Sequence, residues 1–409
     1  MQKTKNYIFT LMGNISISFS KWVILILIVR LTNMEEVGKY TFAIAITTPI
    51  VLFVNMRLRL RYIVEDLNFS DVKKLRCYLS VAVLIFISLI GLIFYDELLI
   101  YMCLITLIKI AELQSDLYYA IYHKLANFKV ISIQQIIRSI FTVLIFGLVL
   151  YISEDIVLAL TIQVIFHITW LIIVERKAES LLNHNKSKQS IQNIWTIFII
   201  GLPLAIVQVI NSYNVLIPRY FIEHFVSVEI LGVFAAISYL LTIVDLFMNA
   251  ISQNIILDIK DSIKNYKYKE INRLIFLKAP AVSLMLLIFM PTITYITGRK
   301  IIEIIYGSDY SNYYLILVIV SISISFNLLS WIYDTTIMAF KKYKQQLYVS
   351  LLTLAVSVSV SFYFIYFWGV YGAAISITII SFTQMSLKLI ILNLAIKKEV
   401  REFESSIYS

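Results

Sequence analysis

Apolar residues in this chain gather into long unbroken runs, and polar residues gather into short stretches between them. Twelve runs predict helices, at 8–31, 37–56, 77–95, 98–121, 129–152 and 154–174, then 193–217, 228–256, 277–297, 311–339, 347–367 and 370–396. A helix crosses the oily core of a bilayer with about 20 apolar residues, so each run is of the order of one crossing. Short segments of strict alternation, which a membrane barrel needs, are missing from the pattern. The expected fold is an all-α polytopic membrane protein of about twelve transmembrane helices. The most polar connection, near 176–192, divides it into a six-helix bundle over 1–175 and a second over 193–409 that ends in a short tail. Pro218 and Arg219, within NSYNVLIPRYFIEHFVSVEILGVFAAISYL, predict a helix end at a membrane face, because proline removes a ladder donor.

Composition agrees with the pattern. The 409 residues are 60% hydrophobic and 15% charged, against about 25% charged in an average soluble domain, and the mean hydropathy is +0.85. The net charge of +10 does not point to nucleic acid, because the basic residues sit in short loops beside apolar runs. Arg57, Arg59, Arg61, Lys73, Lys74 and Arg76 fill one such loop, Lys260, Lys264, Lys267, Lys269 and Arg273 another. The alternate connections hold Glu35, Glu36, Asp96, Glu97, Glu154 and Asp155. Positive charge marks cytoplasmic loops beside anionic lipid, so both termini are expected to face the cytoplasm. Lys3 and Lys5 precede an apolar run with no small-residue cleavage site, which predicts a retained first helix. Cys77 and Cys103 have no metal-ligand spacing and predict no disulfide framework. The basic stretch 258–278 also carries Ile263, Tyr266, Tyr268, Ile271 and Leu274, which reads either as an amphipathic surface helix or as a simple loop.

Polar groups at membrane depth carry the candidate chemistry, since a charge there needs water or a partner. The first run holds Asn14, Lys21 and Arg30. The fourth holds Lys109, Glu112 and Asp116 near one helical face, which reads either as an internally neutralised seam or as a cavity wall whose acids gate or couple to an ion. Arg138, after Gln134 and Gln135, is a partner for those acids or a ligand for lipid phosphate, and His167 is a packing residue or a proton-coupling site. Gln208, Asn211 and Asn214 share a face, where amides bind sugar hydroxyls or lock helices together. Asp245, Asn249 and Gln253 form an i, i+4, i+8 stripe, and Asp334 and Lys388 extend the polar set. Lysine and arginine in this inventory suit an anionic, phosphate-bearing headgroup. Metal spacings, phosphate-cradling glycine loops and nucleophile–base pairs are not seen, so catalysis and a resident cofactor are not expected.

These segments resemble the bacterial polysaccharide and O-antigen flippases, lipid-linked oligosaccharide exporters within the multidrug, oligosaccharidyl-lipid and polysaccharide exporter superfamily. NISISFSKWVILILIVRLTNMEEVGKYTFA resembles the first two helices of that family through Asn14, Arg30, Leu31, Gly38 and Tyr40. VNMRLRLRYI is similar to the basic junction that follows, with Asn55 and Met56 where a glycine is common. ELQSDLYYAIYHKLANFKVISIQQIIRS is similar to an acidic fourth helix, its hairpin and an arginine-bearing fifth. IPRYFIEHFVSVEILGVFAAISYL with MNAISQNI is the most specific match, through Pro218, Arg219, Tyr220, Gly232, Phe234, Tyr239, Asn249 and Gln253; IIYGSDYSNY and VYGAAIS match more loosely.

The resemblance implies two six-helix bundles around a central cationic cavity, working by alternating access. It implies translocation of an undecaprenyl-diphosphate-linked oligosaccharide from inner to outer leaflet, for capsule, lipopolysaccharide or another surface glycan. Headgroup candidates are Lys21, Arg30, Arg138, Asn211, Asn214, Arg219, Asn249 and Gln253. Gate or coupling candidates are Lys109, Glu112, Asp116 and Asp245, with H+ or Na+ as the coupling ion. The implied partners are the lipid-linked glycan, anionic membrane lipids, and a glycan polymerase with its assembly proteins, around a functional monomer. Competing classes are a drug or cation antiporter of the same superfamily, a peptidoglycan-precursor flippase, a membrane glycan polymerase or glycosyltransferase, and a non-transporting scaffold.

Overall fold

The computed structural model describes residues 2–64, 67–182, 193–240, 259, 262, 267–340 and 343–408. Among these the regular structure is helical, with no strand. Ten helical stretches are long and apolar enough to cross a membrane. One of them, Gln345–Lys397, runs through Gly369, whose φ of 54° and ψ of −132° break the helix, so it holds two crossings. Adding the shorter apolar helix Val228–Leu240 accounts for the twelve segments expected from the hydrophobic runs.

The chain forms two compact units, Met1–Ser212 and Tyr213–Ser409. Unit 1 contains α1 (Gln2–Leu31), α2 (Met34–Asn55), α3 (Leu58–Val64), α4 (Phe69–Phe94), α5 (Leu99–Lys124), α6 (Phe128–Ser153) and α7 (Ile156–Ile173), then a 3-10 segment at Glu175–Leu182. α5 is its central post, packing against α2, α3, α4, α6, α7 and the 3-10 segment, while α1 lies chiefly along α6. The next helix, α8 (Ile194–Phe225), begins in unit 1 and ends in unit 2. Ile197 and Ala205, in the first half of α8, are buried in one core cluster with Met56, Leu58, Tyr62 and Tyr118 of unit 1.

Two sequence expectations are corrected in this part of the chain. Arg76 is not a loop residue: α4 starts at Phe69, and Arg76 is fully buried inside it, donating to the backbone oxygens of Leu113 (2.6 Å) and Asn55 (3.2 Å). Nor does a helix end at Pro218 and Arg219, since α8 continues to Phe225. Proline there frees the carbonyl of Asn214, one turn back. Ser357 Oγ donates to that carbonyl at 3.3 Å, replacing the lost ladder bond from another helix. A released backbone group inside a membrane needs such a substitute, and side chains of neighbouring helices supply it.

Unit 2 contains the rest: α9 (Val228–Leu240), α10 (Tyr268–Arg273), α11 (Ala279–Tyr306), α12 (Ser308–Ser311), α13 (Tyr314–Ala339) and α14 (Tyr343–Tyr408). A π-helical turn at Leu274–Lys278 joins α10 directly to α11. The described part of 258–278 therefore extends a span instead of forming a separate surface element. α13 is the shared wall, packing on α11 and α14. Small hydroxyl residues let these helices approach closely: Ser283 donates to the carbonyl of Ser325 (2.9 Å) and Thr378 to that of Ile319 (3.1 Å).

Candidate functional site

The polar groups of unit 1 converge on α5. Lys109, Glu112 and Asp116 share a face of that helix, yet they do not neutralise one another. Lys109 donates to Thr47 and Thr48 of α2, the former at 3.1 Å. Glu112 accepts from Lys21 of α1 at 2.8 Å, and Asp116 accepts from Arg59 of α3 at 2.7 Å. Each charge on α5 is met by a different element. Lys21 and Glu112 lie near the middle of their spans, and their side chains remain 47% and 28% exposed. Lipid tails do not solvate an ion pair at that depth, so its open side belongs toward a bundle interior or a water-filled cavity. Asn14, about two turns from Lys21 on α1, is exposed as well.

Arg138 behaves differently. Its guanidinium is sealed inside unit 1, 9% exposed, and pairs not with Glu112 or Asp116 but with Glu175 of the 3-10 segment at 3.4 Å. Nη1 also donates to Ser115 Oγ (2.6 Å), and Nε donates to His167 Nδ1 (3.2 Å). Because arginine only donates, His167 Nδ1 must be the lone-pair nitrogen. The ring proton then sits on Nε2, aimed at Thr142 Oγ1 3.4 Å away. Glu175 is fully buried, and its Oε1 also accepts from Tyr119 OH (2.5 Å) and Trp170 Nε1 (3.1 Å). Its Oε2 has no partner among the described residues. Arg138 and His167 thus form a buried knot tying α5, α6, α7 and the 3-10 segment together. Lys21 is the better placed of the two for an incoming anion.

The remaining described candidates lie on α1 and α8. Arg30 is exposed near the end of α1. Asn211 is exposed and Arg219 half-buried on α8, whereas Asn214 is buried and donates to the carbonyl of Ser350 (3.3 Å). Asp334 and Lys388 pair with each other at 3.2 Å, and Ser330 and Gln346 join them, so this charge is satisfied within unit 2. Asp245, Asn249 and Gln253 lie outside the described residues. Among those described, no group of three His, Cys, Asp or Glu side chains is placed to hold a metal ion.

Sequence reading missed Glu175, Arg59 and Arg76 as members of the network. Glu175 is the lone acid between an apolar run and Arg176–Lys177, and that contrast was its signal. Arg57, Arg59 and Arg61 alternate, and in a helix a spacing of two sends side chains to opposite sides. Arg59 accordingly reaches Asp116, and Arg61 reaches the carbonyl of Ile197 in α8 (2.8 Å).

No protein-family model matches the chain. A comparison with curated proteins finds the capsular polysaccharide biosynthesis protein CapF of Staphylococcus aureus, 30% identical over 389 residues, covering 94% of this chain and 97% of that protein. Among solved structures, the lipid II flippase MurJ in an inward closed conformation superposes with a TM-score of 0.72 at 13% identity, over 96% of this chain and 89% of that one. The Vibrio cholerae MATE transporter VcmN in its bent form gives 0.60 at 14% identity, over 97% of each chain. At such identities the two structures speak for the fold alone.

Proposed function

The chain belongs to the bacterial polysaccharide-flippase family of the multidrug, oligosaccharidyl-lipid and polysaccharide exporter superfamily, and from that premise we propose that it moves an undecaprenyl-diphosphate-linked oligosaccharide from the inner to the outer leaflet of the plasma membrane. It is a multi-pass membrane protein. The observation that carries the reading is the half-exposed Lys21–Glu112 pair at mid-span. The lysine ammonium is a compact charge for a diphosphate, and Glu112 of α5 holds it from one side at 2.8 Å. An arriving diphosphate competes with Glu112 for Lys21, and Glu112 is then the group to exchange its lysine for a coupling cation, H+ or Na+. The sugar head travels in the wet region while the isoprenoid chain stays in lipid. The capsular role named for the S. aureus relative makes capsule the first glycan to test.

A cation or drug antiporter is the second reading, since the fold is shared with the transporter VcmN. In such a mechanism the cationic cargo itself has to displace Lys21 from Glu112 or Arg59 from Asp116.

The test is leaflet transfer of a fluorescent undecaprenyl-diphosphate glycan in vesicles, with proton and sodium gradients imposed separately. Removing one charge-assisted contact lowers affinity by about 10- to 100-fold, so Lys21→Gln is expected to slow transfer by that order while Lys21→Arg retains most of it. Transfer indifferent to Lys21→Gln would sink the assignment, and efflux of a cationic dye without glycan transfer would select the antiporter.

A further inference from the structure

Unit 2 contains a cavity of about 780 Å³ that is lined by none of the candidates above. Two segments form it, the α10–π turn that opens α11 and the late part of α14. Lys269, Asn272 and Arg273 come from the first, Asn393 and Lys397 from the second. Positions 269, 272, 273 and 276 fall at i, i+3, i+4 and i+7, so they share one helical face. Behind that face Ile271 and Ile275 are buried against Leu392 and Ile396, which fixes the two walls to each other. The π-helical turn at Leu274–Lys278 sits at the cavity, and such turns are frequent at functional sites.

Among the described residues the lining holds three cations and two amides, with no carboxylate. Among the described residues no acid pairs with Lys269, Arg273 or Lys397; the neighbouring Glu270 is engaged by Lys267 at 3.5 Å. Phe276 and Leu277 continue the wall as apolar surface, 43% and 65% exposed, at the start of a membrane span. A basic rim above an apolar wall matches an amphiphile with an anionic head, and a free anion would leave the apolar part unused. The volume is that of an ordinary ligand site, about 300–1,000 Å³. Basic pockets at the cytoplasmic ends of membrane helices take headgroups of this kind, and the charge bias of the loops assigns this end to the cytoplasm.

We propose that this cavity is a binding site for an anionic phospholipid of the inner leaflet, its phosphate held by Lys269, Arg273 and Lys397 and its acyl chain laid along Phe276 and Leu277. Asn272 and Asn393 donate to the glycerol or phosphate oxygens. The site does not depend on the cargo reading, since it would serve an antiporter of this fold equally well.

The test uses full-length protein purified from nanodiscs of cardiolipin, phosphatidylglycerol and phosphatidylethanolamine, with retained lipid counted by native mass spectrometry. Each basic residue near a headgroup strengthens binding several-fold. The K269Q/R273Q/K397Q variant is therefore expected to retain at least about tenfold less cardiolipin and phosphatidylglycerol, with phosphatidylethanolamine unchanged. K269R/R273K/K397R keeps the charge and is expected to retain the anionic lipid, which separates site loss from misfolding. R299Q/K300Q removes exposed charge at the other end of α11 and is expected to change nothing. Equal retention in the triple glutamine variant, or equal loss in R299Q/K300Q, overturns the proposal. Displacement by millimolar inorganic phosphate would make this a simple anion site, and stoichiometric displacement by undecaprenyl diphosphate would give it to the cargo; either result also overturns it.

Discussion

Arg138 and Glu175 are the costliest side chains in unit 1 to separate. A buried charge deprived of its partner destabilises a protein by about 3–5 kcal/mol, whereas replacing both partners with apolar groups is often nearly neutral. Glu175→Gln is therefore expected to lower thermal stability in detergent sharply, and Arg138→Met with Glu175→Leu to recover most of the loss. A double variant as unstable as the single one would show that Ser115 and His167 need the guanidinium for themselves. This knot was half legible in the sequence. Arg138 stood out as a charge inside an apolar run, but its partner lies beyond the next span, and nothing local joins positions 37 residues apart. The opposite holds for Lys109, Glu112 and Asp116, whose shared face follows from helical spacing alone. What spacing could not give was the direction of each bond, because α1, α2 and α3 are brought to α5 only by packing.

At the level of elements, α8 teaches the same lesson about proline. Its sequence signal is real, since the ladder bond to Asn214 is absent, but a membrane helix with a hydroxyl neighbour survives that absence. Ser357→Ala leaves the Asn214 carbonyl without the 3.3 Å bond, and an unsatisfied buried acceptor costs about 1–3 kcal/mol. The expected outcome is a fall in melting temperature, checked by thermal unfolding in detergent, that Ser359→Ala does not reproduce. Ser359 is the control because it bonds only within its own helix, to Ala355, and is exposed. A drop of the same size at both positions would mean that α14 is merely sensitive to loss of serine. The junction after α2 is another place where local sequence misleads. Met56 and Arg57 adopt φ of 44° and 51°, a left-handed pair without glycine, and the burial of Met56 and Leu58 in the core of unit 1 holds them there.

For the whole molecule, the apolar runs revealed the helical class because bilayer thickness sets helix length, a constraint that acts on sequence directly. The division into units was less visible, since α8 is apolar on both sides of it and only packing places the boundary at Ser212 and Tyr213. The loop charges also predict orientation: cysteines introduced into a cysteine-free variant beside Lys124 and in the tail after Lys397 are expected to react only when reagent reaches the cytoplasm, and one beside Asp96 only from outside. Labelling from the reverse sides would invert the proposed direction of transport.

The three bonds that radiate from α5 also limit how unit 1 can move. They fix that helix at three heights to three separate neighbours, so slippage by one turn, about 5.4 Å, would sever Lys109, Glu112 and Asp116 from their partners at once. A gradual ratchet past α2 and α3 is opposed for as long as Lys109 and Asp116 keep their partners. Passage of a cargo that takes Lys21 from Glu112 opens the α1 bond first, and from that moment, of the three, the bonds to α2 and α3 remain, through Lys109 and Asp116.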